Sequence, residues 1–326
     1  MRNFNTKIKG ITRTTTPMGA QQKQAIHQPA SEERSKKSNA KGLHGDDCTS
    51  SPDGEFTPLN LQQRGLQMFQ EMKFSDCEFR LTDDESAITH FKAHRAVLIY
   101  ASDVFRSMFL GQFPKEEFVT IKDIKPKIFY FLLRFAYTMD VAEEEICFED
   151  LLELAVAANK YLMSNLQKVC IDIARKRLTP IKVFAAEFVA DLLGENKLVE
   201  DCHKIIKSSA ASALLSKCFL SISKERLLCL LDSDKLNISS EMSLVNACIR
   251  WANFNHAQNV DATLRSFLPK LRLLTLSPQE FSANIDSFSW LTDSEKVAVF
   301  VNITSRRDSK IEMPSEFCSN ENKRNI

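Results

Sequence analysis

Glycine is scarce in this chain, and where it occurs matters more than how much there is. Five of the eight glycines lie within the first 54 residues, leaving Gly65, Gly111 and Gly194 for everything after them. A phosphate cradle needs clustered glycines so that backbone N–H groups can approach the anion, and no such cluster occurs. Blades of a Gly-punctuated propeller are excluded on the same ground. Paired cysteines are lacking too. The nine cysteines are an odd number, contain no C-x-x-C and scatter through helical segments, which argues against a disulfide or zinc framework. Reduced thiols point to a cytoplasmic protein, with the nucleus also compatible. The longest apolar run, IFYFLLRFAY, is about half the roughly twenty residues that a membrane span requires, and Arg134 interrupts it. Charge of one sign is missing as well: the net charge is +1. Residues 1–50 carry nine Lys/Arg against four Asp/Glu, so the remainder is mildly acidic, 34 against 38. Neither nucleic acid nor membrane is an expected partner.

Reactive constellations are equally absent. There is no G-x-S-x-G, no Cys/His pair with an orienting third group, and no carboxylate pair whose surroundings would split their pKa values. Cys202 and His203 are neighbours in a predicted helix, where adjacent residues diverge by about 100 degrees, so they form no dyad. His90 and His94 have an H-x-x-x-H spacing, but a strand-to-helix break falls between them, and packing or capping is expected rather than ligation. Cys170 has Lys168 and Arg175 nearby, as an electrophile-sensing thiol would, yet its apolar register favours an inert core thiol. The expectation is a protein that is not an enzyme, with no cofactor and no metal.

A chain of 326 residues can hold two ordinary domains. Residues 1–57 are polar and rich in Gln, Lys, Ser and Thr, and read as a disordered tail. Their basic, Thr-rich start superficially suits a transit peptide, but Asn, Gly and Pro interrupt any amphipathic helix. Pro58 should open a helix from about Leu59 to Met72, with Leu66, Phe69 and Met72 on one narrow face. Strands are expected at Cys77–Leu81 and Ile88–Ala93 around the acidic turn TDDESA, and a short one at Val119–Ile121. The alternation of the second strand then gives way to helical spacing at Val97, Leu98, Ala101, Phe105, Met108 and Phe109.

Pro126 starts a helix with Phe129, Leu132, Leu133 and Ala136 on one face. Another follows with Phe148, Leu151, Leu152, Ala155 and Leu162 inward. From about Met163 to Thr304 the pattern is helical throughout. Thr179-Pro180 should start one helix that Gly194 stops, and Ser277 to Glu280 and Thr292 to Glu295 have the form of capping boxes. Val245, Cys248, Ile249 and Ala252 mark a core-facing helix with Trp251 beside them. The final residues, 305–326, are polar and read as unstructured.

Asp76 before the first strand, the phrase FKAHRAVL, and then Ser102, Phe105, Met108 and Phe109 as S-x-x-F-x-x-M-F together resemble the BTB (POZ) domain. NACIRWANFN and LRLLTLSPQEF are similar to the BACK domain that follows it in many adaptors. The resemblance implies an α+β chain, mostly α: a BTB domain over 59–162, a small sheet with helices, and an all-α BACK domain over 163–304. It further implies a substrate adaptor for a cullin-3 ubiquitin ligase that works as a homodimer and presents a client protein the sequence does not identify. Helix residues Leu66, Phe69 and Met72 would then face the partner subunit. Burying three such side chains is worth roughly 5–9 kcal/mol gross, against an association cost of about 4–15 kcal/mol, so the helix alone does not decide dimerisation. Asp76 and Arg95 match a charged pair near the dimer seam, and a structural ion pair is the favoured role.

By the same resemblance the cullin would be held by Met108, Phe109, Phe113, Glu116 and Glu117, with Tyr161 and Met163 at the start of a paired-helix extension. Phe113 should be the anchor. Lys115 stands where that family has an acid, and only a one-residue shift would deliver Glu116 or Glu117 in its place. The chain also stops where resembling proteins continue into a β-rich PHR or Kelch module, although PSEF resembles the linker into one. Two other readings stay open: a dimeric scaffold or transcriptional co-regulator using the Asp76/Arg95 pocket, and a truncated form that heterodimerises with longer BTB proteins.

Overall fold

In a computed structural model the described residues are 59–82, 88–111, 118–305 and 311–324. Residues 1–58, with Pro58, all of TDDESA after Thr82, and residues 112–117, with Phe113, Lys115, Glu116 and Glu117, lie outside them. The first unit opens with α1 (Leu61–Glu71), followed by β1 (Cys77–Thr82), β2 (Ile88–Ala93), α2 (Arg95–Ala101), α3 (Asp103–Leu110), β3 (Val119–Ile121), α4 (Pro126–Thr138) and α5 (Phe148–Lys160). The strand order is β2-β1-β3. β1 pairs antiparallel with β2, Phe79 opposite Phe91, and parallel with β3, Phe79 opposite Val119.

The expected strands are all present. Alternation sends Phe79 and Leu81 inward, both fully buried, while Glu78 and Arg80 bond to each other outside at 3.1 Å. Phe79 is the hub of this core, its ring centroid 5.1 Å from Phe129 and 5.6 Å from Phe105. Pro126 occupies the first turn of α4, where its missing N–H is no loss, and Phe129, Leu132 and Leu133 are buried beneath it. In α5 the residues Phe148, Leu151, Leu152 and Ala155 point inward as expected.

The rest is helical: α6 (Ser164–Lys176), α7 (Val183–Leu193), α8 (Asn196–Ser208), α9 (Ala210–Leu214), α10 (Lys224–Leu231), α11 (Met242–Asn255), α12 (Val260–Arg265), α13 (Pro278–Ala283) and α14 (Asp293–Thr304), with three 3₁₀ turns among them. None of the described helices is long and apolar enough to cross a membrane. Both capping boxes form, at Ser277/Glu280 and Thr292/Glu295, and Gly194 ends α7 at φ +71°. In α11, Val245, Cys248, Trp251 and Ala252 are buried, and the Trp251 indole N–H donates to the Ile222 carbonyl at 3.0 Å.

Two expectations need correcting. Thr179-Pro180 does not begin a helix. It makes a turn in which the Lys182 N–H donates to the Thr179 carbonyl at 2.9 Å, and α7 starts three residues on, at Val183. The carboxy-terminal stretch, expected to be unstructured, is docked from Ile311 to Arg324 on the end of α10, the turn after α12 and α14, with Phe317 and Arg324 buried. Its composition is polar because it is held mainly by hydrogen bonds, which hydrophobic pattern does not register.

Candidate protein-interaction site

Helix α1 is capped by Asn60 and Gln63, whose side chains each accept the other's backbone N–H. Phe69 is buried between the rings of Tyr130 and Tyr137, at 5.3 and 5.5 Å, and Leu66 and Met72 are half-buried. Of the face expected at a subunit seam, Phe69 therefore packs on α4 of its own chain and Met72 against the core. What α1 leaves in solvent is Leu61, 81% exposed, and Met68. Close packing is possible because residue 65 is glycine: a Cβ there would lie 2.1 Å from the Tyr137 carbonyl oxygen.

The helix ends in a turn with left-handed backbone at Met72 (φ +47°) and Phe74 (φ +60°). Phe74 is 95% exposed. The turn is gripped from below by His94, buried at the start of α2, whose Nε2 lies 2.7 Å from the Lys73 carbonyl. A carbonyl can only accept, so Nε2 carries the proton and Nδ1 accepts from the Tyr137 hydroxyl at 2.9 Å. That hydroxyl in turn accepts the His94 backbone N–H at 2.8 Å. His90 points elsewhere, its Nδ1 2.9 Å from Glu78 Oε1. The two histidines do not converge. Tyr100, on α2, is another large ring in solvent, 85% exposed.

Asp76 and Arg95 meet, though not through their charges as expected. The Asp76 carboxylate accepts the backbone N–H of Arg95 at 2.7 Å, so it serves the first turn of α2, where a donor would otherwise be orphaned. The Arg95 guanidinium lies 5.4 Å over the Phe109 ring, and its Nε is buried with no hydrogen-bond partner among the described residues. Beside them burial pushes the Cys77 thiol up to about 12, with Asp76 adding to the shift and Arg95 opposing it.

The second part of the surface is built on α3. Ser102 is buried and works twice: its Oγ accepts the Phe105 N–H at 3.2 Å as the helix cap and donates to the Tyr161 carbonyl at 2.6 Å. The Phe105 ring lies 4.9 Å from Tyr161. Tyr161 and Met163, expected to touch a partner, are each only 4% exposed, so neither side chain offers a surface. Burial pushes the Tyr161 phenol well above its ordinary range. Between them stands Leu162, which helical spacing would turn inward, but α5 has already ended at Lys160.

The Leu162 N–H donates to the Asn159 carbonyl and the Met163 N–H to the Ala158 carbonyl, the paired bonds of a Schellman turn. Leu162 holds the left-handed position that glycine usually fills (φ +53°) and is 60% exposed. Met108 and Phe109 are half-buried against the core, and Leu110 is exposed at the end of α3. Exposed Leu110 and Leu162, missed in the sequence, thus flank the elements on which the expected residues sit.

Buried thiols and charges complete the picture. Burial pushes both Cys170 and Cys202 up to about 12, and His203 turns away from Cys202 to place Nε2 2.9 Å from Glu187 Oε1. Buried Glu187 also accepts from Arg226 at 2.6 Å. Among the described residues no group of three or more His, Cys, Asp or Glu is placed to hold a metal ion.

A mixed three-stranded unit continued by an all-α unit, with its conspicuous features on the outside, defines the class of fold. The family model described as BTB/POZ domain matches residues 66–178, and that described as BTB And C-terminal Kelch, or BACK, matches residues 183–286. The chain belongs to the BTB–BACK proteins. It is 25% identical over 225 residues to Kelch-like ECH-associated protein 1B of Danio rerio, covering 68% of this chain and 38% of that protein. To BTB/POZ domain-containing protein 6-B of Danio rerio it is 27% identical over 269 residues, 80% of this chain and 55% of that one. To Kelch-like protein 40 of Mus musculus it is 28% identical over 199 residues, 61% and 31% respectively. The chain thus spans about a third to a half of the length of these relatives. Among solved structures the BTB domain of zebrafish PATZ1 is 25% identical, covers 37% of this chain and 98% of its own, and has a TM-score of 0.28.

Proposed function

We propose that the protein is an interaction adaptor that works as a dimer and holds a cullin-3-type scaffold near a client protein, without chemistry of its own. The observation that supports this best is apolar display on strained backbone: Phe74 and Leu162 both hold left-handed conformations while facing solvent. Each such conformation costs about 1–2 kcal/mol in a residue other than glycine. Exposed side chains return nothing to the monomer, whereas burying them against a partner contributes about 1.5–3 kcal/mol each. On this reading Leu61, Met68, Phe74 and Tyr100 contribute to the seam between two copies related by a twofold axis. Leu110 and Leu162, with Met108 and Phe109 behind them and Phe113 on the adjoining loop, take the cullin. Lys115 weakens that contact unless Glu116 or Glu117 shifts into its place.

Sedimentation velocity and titration with the amino-terminal domain of cullin-3 test both halves. Phe74→Gly relaxes the turn while removing the ring, so it should leave the melting temperature level or higher and shift the protein toward monomer. Leu162→Gly and Phe113→Ala should each weaken cullin binding by about tenfold or more and leave the dimer intact. A monomeric wild type, or cullin affinity indifferent to both substitutions, sinks the proposal. The Nε of Arg95, buried beside Phe109 without a partner among the described residues, favours a second reading, a pocket for a repressor-type peptide. Binding of such a peptide abolished by Arg95→Lys, with no cullin affinity at all, would select it.

A further inference from the structure

Three separate stretches of the BACK domain converge on one side chain near residue 324. Leu231 supplies the last carbonyl of α10, Ser233 the carbonyl of the following loop, Lys270 that of the turn after α12, and Glu241 a carboxylate just before α11. Into this enclosure goes Arg324, whose side chain is 0% exposed. Its Nε donates to Glu241 Oε2 at 3.0 Å and Nη2 to Oε1 at 3.1 Å, a two-pronged pairing. Nη1 donates to the Leu231 and Ser233 carbonyls at 2.5 and 2.6 Å, and Nη2 to Lys270 at 2.8 Å. The five bonds equal the donor capacity of a guanidinium. The Leu231 carbonyl is one of the acceptors a helix leaves orphaned at its end, where a cation is also favoured by the helix dipole. Glu241, itself buried, has one further donor, the Arg272 backbone N–H at 2.9 Å.

The segment carrying Arg324 is fastened along its length. The Asn302 side-chain amide donates to the Ile311 carbonyl at 2.9 Å, the Cys318 N–H to the Leu268 carbonyl at 3.2 Å, and Arg272 Nη1 to the Asn322 carbonyl at 3.1 Å. Phe317 is buried between these points in sequence. Arg272, almost enclosed, is also paired with Asp234. We propose that residues 311–324 are a strap that locks the carboxy-terminal half of the BACK domain, and that Arg324 is its latch, seated in a purpose-built guanidinium pocket. The strap lies beyond the stretch that the BACK family model matches, which ends at 286. Lysine cannot replace the latch, because an ammonium has three donors and no planar fork for Glu241.

Hydrogen–deuterium exchange of the full chain, read by mass spectrometry, tests the strap in wild type, R324A, R324K, E241Q and the E241Q/R324A double variant. In R324A the opening equilibrium for residues 224–241 and 268–276 should rise by about 10²-fold or more, since one partner of a buried pair has gone. Protection along 311–324 should fall with it, while residues 126–160 of the BTB domain stay as they were. R324K should lie between wild type and R324A, which keeps the test alive if R324A folds poorly. E241Q should open the same residues, and the double variant should add little to either single one. Unchanged exchange over 224–241 in R324A, an R324K variant identical to wild type, or a loss of protection spread evenly into residues 126–160 would each overturn the proposal.

Discussion

Replacing Gly65 by alanine sets two effects of opposite sign against each other. Within an isolated helix the change stabilises, because glycine costs about 1 kcal/mol relative to alanine. In this protein the added Cβ would fall 2.1 Å from the Tyr137 carbonyl oxygen and 3.0 Å from its carbonyl carbon. Both atoms are backbone, at the end of α4, so no side chain can swing aside. Helix α1 must instead move away by roughly an ångström, on the scale where overpacking costs about 1–3 kcal/mol.

That movement also loosens Phe69 from Tyr130 and Tyr137, which adds lost burial to the strain. The expected net is a destabilisation of about 2 kcal/mol, since the steric term exceeds the gain in helix propensity. Urea unfolding followed by circular dichroism reads it as a lower midpoint with an unchanged slope. Gly194→Ala is the control: φ is +71° but nothing lies within 4 Å, so only backbone strain of about 1–2 kcal/mol applies. If Gly65→Ala raises the midpoint, α1 does not pack on α4 as described.

Three further outcomes are expected. The Arg265 guanidinium, donating at 2.7 Å, holds the Glu295 carboxyl down at about 2 in the folded protein, against 4.5 as the ordinary value. A depressed folded pKa gives stability that is present above about pH 4.5 and lost as pH falls toward 2. Wild type should therefore exceed Glu295→Gln by about 2 kcal/mol at pH 6 and by almost nothing at pH 2, and a pH-independent difference would contradict this. Ser102→Ala removes both a helix cap and the only side-chain bond described to the Tyr161 carbonyl, so unfolding should become easier by about 2–3 kcal/mol; a loss under about 0.5 kcal/mol would refute the double role. Brief alkylation at pH 7.5, mapped by mass spectrometry, should label exposed Cys229 and spare Cys170 and Cys202, which are buried with thiols pushed up to about 12. Early labelling of Cys170 would revive a sensing role.

Much of the fold could be read from local pattern because local physics fixes it. Alternation around Phe79, Pro126 in the first turn of α4, and the reciprocal caps at Ser277 and Thr292 each involve residues a few positions apart. The site was less legible for a reason that particular residues make plain. Leu162 continues the apolar spacing of α5, yet the helix has already stopped, and neither glycine nor proline marks the stop. Scarce glycine leaves helix ends to apolar residues: Met72, Met139 and Leu162 all take left-handed backbone at or just after a helix end. Asp76 and Arg95 have opposite charges, which suggests a pair, but the carboxylate chose a backbone N–H that no sequence displays. Arg324 finds Glu241 and Leu231 across 83 and 93 residues, a distance over which composition carries no signal.

The junction at Tyr161 has a mechanical consequence. No flexible connector separates α5 from α6, and the few residues between them are tied to α3 by the Ser102 hydroxyl and the Phe105 ring. The angle at which the second helix leaves the first is therefore dictated from a third element, much as a bracket fixes the corner of a frame. A protein gripping both sides of that corner meets a preset shape, and any misfit has to be absorbed by the visitor.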